Sequence, residues 1–243
     1  MPDLAPNDLP GMLADAARAL ARTGTVQETL QRIVDLSLEI IRDADCAGLM
    51  LLSDSRVTTP AATDLRASDL DALQARLWEG PCMDAVRGQE SVYAEDLAGE
   101  DRWPQFAAKA VERGMRSLLA CRLSLDDEPL GALNLYSRRP SAFAEADRET
   151  AALFAVHTSV ALAAAETHAD DLTRALHLQE ALDSRDLIGQ AKGILMERQH
   201  IDADTAFDIL RRASQRSNVK LHDVAALIVS GPEVGQGEPP EHP

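Results

Sequence analysis

The chain has 243 residues, 24 of them Lys or Arg and 40 Asp or Glu, for a formal net charge of −16. That length suffices for one large domain or two ordinary ones, and a hydrophobic content of 45% excludes a disordered polymer. Forty alanines against eight aromatics favour helices with small side chains over an aromatic-rich β-sandwich, and the acidity means that nucleic-acid binding needs a local patch.

The start, MPDLAPNDLPG, lacks the cationic and apolar regions of a signal peptide, and residues 1–11 read as a disordered lead. A helix is predicted from about Met12 to Arg22. A second follows behind Thr25, with Val26, Leu30, Ile33, Val34, Ser37, Ile40 and Ile41 on one side. CAGLMLL, Cys46 to Leu52, reads as a buried strand. A helix around Asp69 to Trp78, the turn Glu79-Gly80-Pro81, a short helix from Cys82 to Val86 and a brief strand in SVYAEDL come next. RSLLACRLSL and PLGALNLYS, separated by Asp126-Asp127-Glu128, form a β-hairpin candidate. Residues 12–165 thus read as one α+β domain.

From Glu145 the pattern is helical to about Gln199, with capping expected at Ser141. The uncharged run Thr150 to Ala165 includes His157, Thr158 and Ser159, and reads as too short and too polar to span a bilayer. Leu162, Ala165, Ala169, Leu172 and Leu176 fit a loose 3–4 spacing that Gln179 and Asp183 interrupt. Residues 166–184 therefore read either as a plain surface helix or as a dimer-forming connector. Residues 185–231 give a three-helix pattern. Ile188, Ala191, Ile194 and Leu195 form the first stripe, and Ala206, Phe207, Leu210 and Ala213 the second, behind an Asp202 cap. Leu221, Val224, Ala225 and Ile228 form the third, which stops at Gly231. The tail, 232–243, has no periodicity and reads as disordered.

The three cysteines, Cys46, Cys82 and Cys121, are far apart with no CxxC pair, against a disulfide framework or structural zinc and in keeping with a reducing cytoplasm. Glu79-Gly80-Pro81-Cys82 resembles a nucleophile turn, but no His lies within the next 70 residues. His157, His168 and His177, at spacings of 11 and 9, make no metal-ligand set. With no nucleophile–base constellation and no phosphate-binding glycine loop, an enzyme is not expected and no cofactor is required.

Charge by region separates the two ends. Residues 1–169 hold 16 basic and 27 acidic groups, whereas 185–220 hold seven basic and five acidic. These charges read as ordinary solvated helix faces unless their arrangement says otherwise. Arg185, Gly189, Lys192 and Met196 share one helix face, and Gly189 and Gly193 each cost roughly 1 kcal/mol against alanine inside a helix. Two reasons for that cost are open: tight packing of another helix, or close approach of a polyanion backbone.

SRDLIGQAKGILMER, AFDILRRASQRSN and KLHDVAALIV, in that order and over about residues 170–230, resemble the ANTAR domain, an RNA-binding antitermination module. Upstream, over about residues 15–165, EGPCMDAV, DLAGEDRWPQFAAKA, GMRSLLACRL, LGALNLYS and FAVHTSVALA resemble a GAF domain of the type that precedes ANTAR in actinobacterial regulators. The fold implied is α+β: a GAF-like antiparallel sheet with flanking helices, a long connector helix, and an all-α three-helix ANTAR-like module.

The resemblance implies a cytoplasmic regulator, with no membrane association, that binds paired stem-loops in nascent mRNA as a homodimer and prevents a terminator from forming. Carried onto this chain, Lys192, Arg211, Arg212, Ser214, Asn218 and Lys220 become candidate RNA contacts, with Arg185 and Gln190 beside them. Phe207, the region's one aromatic, is assigned to the core, so recognition would rest on Arg, Lys, Gln and Asn. GAF domains commonly hold a small ligand, here unidentified, between sheet and helices. Leu49, Trp78, Cys82, Tyr93, Trp103, Phe106 and Leu119 are the candidate lining, or else core residues. A DNA-binding regulator and a protein-binding signalling module remain the alternatives.

Overall fold

The computed structural model describes residues 9–53 and 56–230. The chain divides into two compact units, Met1–Ala169 and Asp170–Pro243.

In the first unit, α1 (Leu9–Leu20) and α2 (Val26–Ile40) precede β1 (Cys46–Ser53) and β2 (Arg56–Ala62). Helices α3 (Leu65–Leu77) and α4 (Pro81–Val86) then lead to β3 (Ser91–Ala94). After α5 (Pro104–Glu112) come β4 (Ser117–Leu125), β5 (Glu128–Ser137) and α6 (Glu145–Gln199), which continues into the second unit. Leu9 to Gly11, expected in a disordered lead, form the first turn of α1; residues 1–8 and the expected tail lie outside the described residues. The sheet has the order β2-β1-β5-β4-β3 and every pairing is antiparallel. The predicted hairpin closes through Asp126 and Asp127, both at positive φ (48° and 67°), the two-residue turn whose twist suits the flanking strands.

Helices cover both faces of this sheet, which is why β4 and β5 read as nearly unbroken apolar runs. Alternation sends Leu119, Cys121, Leu133 and Leu135 to one face, with Ile33 and Val34 of α2 and Phe154 and Leu162 of α6. Leu118, Ala120, Ala132 and Tyr136 go to the other, with Leu70 and Leu73 of α3, Cys82 and Met83 of α4 and Phe106 of α5. An 18-residue window of α6 has a mean hydropathy of 1.2, long and apolar enough to cross a bilayer, where the uncharged run alone looked too short. A third of that window is buried: Ala151, Phe154, Ala155 and Leu162 belong to the first-face core, whereas Leu153, Val156 and Val160 of the same helix are exposed.

Two local expectations are corrected. Ser141 does not cap α6: it sits at positive φ (52°) with its hydroxyl donating to Glu95, and Asp147 accepts from the Ala144 N–H instead. The expected connector seam loses its first member, because Leu162 is spent on the sheet core. Leu172 and Leu176 are more than half exposed.

In the second unit the last turns of α6, α7 (Ala203–Ser217) and α8 (Leu221–Ser230) enclose a small core of Ala191, Leu195, Ala206, Leu210, Val224 and Ala225. Asp202 caps α7 by accepting from the Thr205 N–H at 2.8 Å. The expected stop at Gly231 lies outside the described residues.

Candidate functional site

The second unit displays its cations. Arg185, Gln190, Arg211, Arg212, Asn218 and Lys220 are exposed, and Lys192 and Ser214 are half-buried. The stripe Arg185–Gly189–Lys192–Met196 forms on α6 as the spacing requires. A Cβ built on Gly189 or Gly193 would meet nothing within 4 Å, so among the described residues no helix packs against either glycine. Of the two reasons offered for the pair, packing inside the monomer is thereby removed. Gln190, Gly193, Ile194, Glu197 and Arg198 line an open groove there.

Phe207 is not in the core. It is 38% exposed, and the Lys192 ammonium lies 5.8 Å from its ring centroid, joining the cationic stripe of α6 to α7. The inward stripe of α7 is already complete with Ala206, Leu210 and Ala213, and Phe207 lies about 100° from Ala206 around the helix. That offset was the available signal.

The remaining candidates differ in how free they are. Arg211 pairs with Asp208 at 2.7 Å on an exposed surface. Arg216 donates its Nε–H to the Arg212 carbonyl. The Ser214 hydroxyl donates to the Val219 carbonyl at 2.6 Å, and Asn218 ends α7 in the left-handed conformation (φ 54°) with its N–H on the Ser214 carbonyl. Ser214 and Asn218 thus build the turn into α8.

The candidate pocket residues of the first unit are not brought together. Leu49 and Leu119 are buried on the α2–α6 face, and Tyr93 packs against it. Cys82, Trp103 and Phe106 are buried on the α3–α5 face. Trp78 is 56% exposed at the left-handed C-terminus of α3. Trp103 donates its indole N–H to Asp84, and Glu79 accepts from the Gln105 and Phe106 N–H groups that open α5.

A buried polar centre, missed by the sequence reading, occupies the α3–α5 face. The fully buried Asp71 accepts from the Tyr136 hydroxyl at 2.5 Å and from Asn134 Nδ2 at 2.9 Å. Gln74 donates to the Tyr136 oxygen at 2.8 Å and accepts the Cys82 N–H at 3.0 Å. Two glycines make room: a Cβ on Gly48 would fall 2.1 Å from Asp71 Oδ2, and one on Gly80, at φ 127°, would fall 2.2 Å from Gln74 Oε1. Among the described residues, Asn134 Oδ1 has no hydrogen-bond partner and no cation pairs with the Asp71 carboxyl. Burial pushes the Asp71 carboxyl up to about 7, only partly offset by Tyr136, Asn134 and Thr59. The legible signal was its place beside Ala67, Leu70 and Gln74, the i, i+3, i+4, i+7 positions of a buried helix face.

Burial also raises the thiols, Cys46 and Cys121 each to about 12 and Cys82 higher still, which leaves them poor nucleophiles. Among the described residues, no group of three or more His, Cys, Asp or Glu gathers to hold a metal ion.

A family model described as GAF domain matches residues 23–163, and one described as ANTAR domain matches residues 176–229. No curated protein matches the chain. Among solved structures, the GAF domain of a phosphoenolpyruvate-protein phosphotransferase from Acinetobacter superposes with a TM-score of 0.54 at 16% identity, over 68% of this chain and 99% of that one. The free methionine-R-sulfoxide reductase from Neisseria meningitidis gives a TM-score of 0.53 at 14% identity, over 66% and 91%. A bacteriophytochrome from R. palustris gives 0.57 at 12%, over 77% and 43%. These likenesses are ones of fold, a single sheet architecture that serves different chemistries.

Proposed function

Because this chain belongs to the GAF domain family and carries an ANTAR domain behind it, we propose that it is a signal-responsive antitermination regulator of the actinobacterial kind. On this reading the second unit binds paired RNA hairpins in nascent transcripts, in the cytoplasm and as a homodimer. The single observation that carries the reading is the exposed surface around Lys192. There, Arg185 faces solvent on the same side of α6 as Lys192, beside two helix glycines that no described residue packs against, and Arg211 is exposed on α7. It lies in a stretch that escapes the acidity of the rest of the molecule. Arg212 and Lys220 extend the contact set, and Ser214 and Asn218 support it by holding the turn between α7 and α8.

The mechanism is electrostatic positioning followed by loop readout. Cations drawn to phosphate release counterions, and the exposed backbone at Gly189 and Gly193 lets a polyanion approach where side chains would hold it off. Specificity comes from unpaired loop bases, which offer hydrogen-bonding edges and stacking faces. Two copies binding two hairpins raise affinity through effective concentration. The first unit regulates by binding a small molecule or partner with different affinity in two conformational states.

The test is a competition at fixed salt between labelled paired-hairpin RNA and unlabelled duplex DNA of the same length. The reading predicts that duplex displaces the RNA poorly. Displacement by duplex as efficient as by hairpin would favour a DNA-binding regulator, and no binding of either would favour a protein-binding module.

A further inference from the structure

The second unit has one aromatic ring at its cationic surface, and we propose that Phe207 is a stacking platform for an unpaired RNA base, flanked by Lys192 and Arg211. The inference rests on the RNA-binding reading and adds to it a contact of another chemical kind. Phe207 is 38% exposed although the core beside it is closed by Ala206, Leu210 and Ala225. A lone exposed apolar side chain is ordinary. The surroundings of this one are not, since the Lys192 ammonium stands 5.8 Å from the ring centroid and Arg211 lies one helical turn further along α7. A part-exposed ring with one cation near its centroid and another one helical turn along matches a nucleotide, with a π-face on its base and a charge on its phosphate. Every base has such a face, so the platform supplies affinity for an unpaired loop nucleotide without dictating which base it is.

Stacking and charge neutralisation separate in their salt dependence. Removing a phosphate contact lowers the slope of log Kd against log salt, whereas removing a stacking contact shifts the line without tilting it.

The experiment measures binding of the full-length chain to a paired-hairpin RNA, and to a set of the same RNAs in which each loop nucleotide in turn is abasic. Phe207→Leu is expected to weaken binding to the intact RNA by about 10-fold, within the range that one stacked base contributes, at unchanged salt slope. Phe207→Tyr should restore it. On one abasic RNA the wild type should lose the same factor and Phe207→Leu should lose nothing more. Equal binding of wild type and Phe207→Leu to the intact RNA would overturn the platform and leave the RNA reading standing. So would a Phe207→Leu deficit that persists on every abasic RNA, since a purely structural role predicts that result. Failure of the wild type to bind the intact RNA would overturn both.

Discussion

The two units handle polar chemistry in opposite ways. In the first, a carboxyl, two amides and a phenol are sealed between sheet and helix, and the residues around them give way to make room, Gly48 and Gly80 by having no side chain at all. In the second, the core is six small or aliphatic side chains, and the glycines of α6 face outward. Glycine thus serves contrary purposes, admitting a buried polar group in one unit and leaving backbone open in the other. A polar group that is hidden acts on stability, and one that is displayed is available to a partner.

The contrast is sharpest at Asp71. Its folded-state carboxyl titrates near 7, above its ordinary 3.8, so the folded chain holds a proton that the unfolded chain releases. The contribution of this group to stability is therefore greatest below about pH 4, falls as pH rises from about 4 to 7, and is flat above that. The difference corresponds to roughly 4 kcal/mol. Denaturant unfolding of wild type and Asp71→Asn between pH 4 and 8 should show the wild type losing stability relative to the variant across that window. Parallel curves would mean that the carboxyl is not sealed.

Gly48→Ala probes the same centre by crowding it. Its new methyl group would lie against Asp71 over a central strand, and a cost of about 1–3 kcal/mol is expected, read as a lower denaturation midpoint. Gly189→Ala, the matching change in the second unit, meets open space. It should stabilise α6 by up to about 1 kcal/mol while weakening RNA binding. If Gly48→Ala and Gly189→Ala shifted stability alike, the contrast between the units would fail.

Smaller again is Asn218→Ala, which replaces a residue that visits the left-handed conformation readily with one that does not. A loss of about 1 kcal/mol is expected, with RNA affinity changed only through the turn. An affinity loss without a stability loss would return Asn218 to the set of direct contacts.

Much of this was legible in the sequence because the relevant patterns are periodic. Strands covered on both faces announced themselves as apolar runs, and the three C-terminal helices followed from their stripes and from the Asp202 cap. β2 was missed because it is an edge strand carrying Pro60, Thr58 and Thr59 rather than an apolar run. The pocket residues were misgrouped because periodicity says that a side chain is buried but not on which face of a sheet, and Leu119 and Leu118 go opposite ways. Asp71 carried no signal of its own in the sequence, since its partners Asn134 and Tyr136 are more than 60 residues away. Phe207 was counted into the apolar stripe of α7, but its angle around the helix places it at the edge of that stripe, 38% exposed.

The central claim is that the surface around Lys192 grips RNA by charge. It is tested most directly by the dissociation constant of the full-length chain for a paired-hairpin RNA, measured over a salt series for wild type and Lys192→Ala. The account predicts a straight line of log Kd against log salt whose slope falls by about one in the variant. Wild-type binding with no salt dependence, or a slope identical in Lys192→Ala, would contradict it.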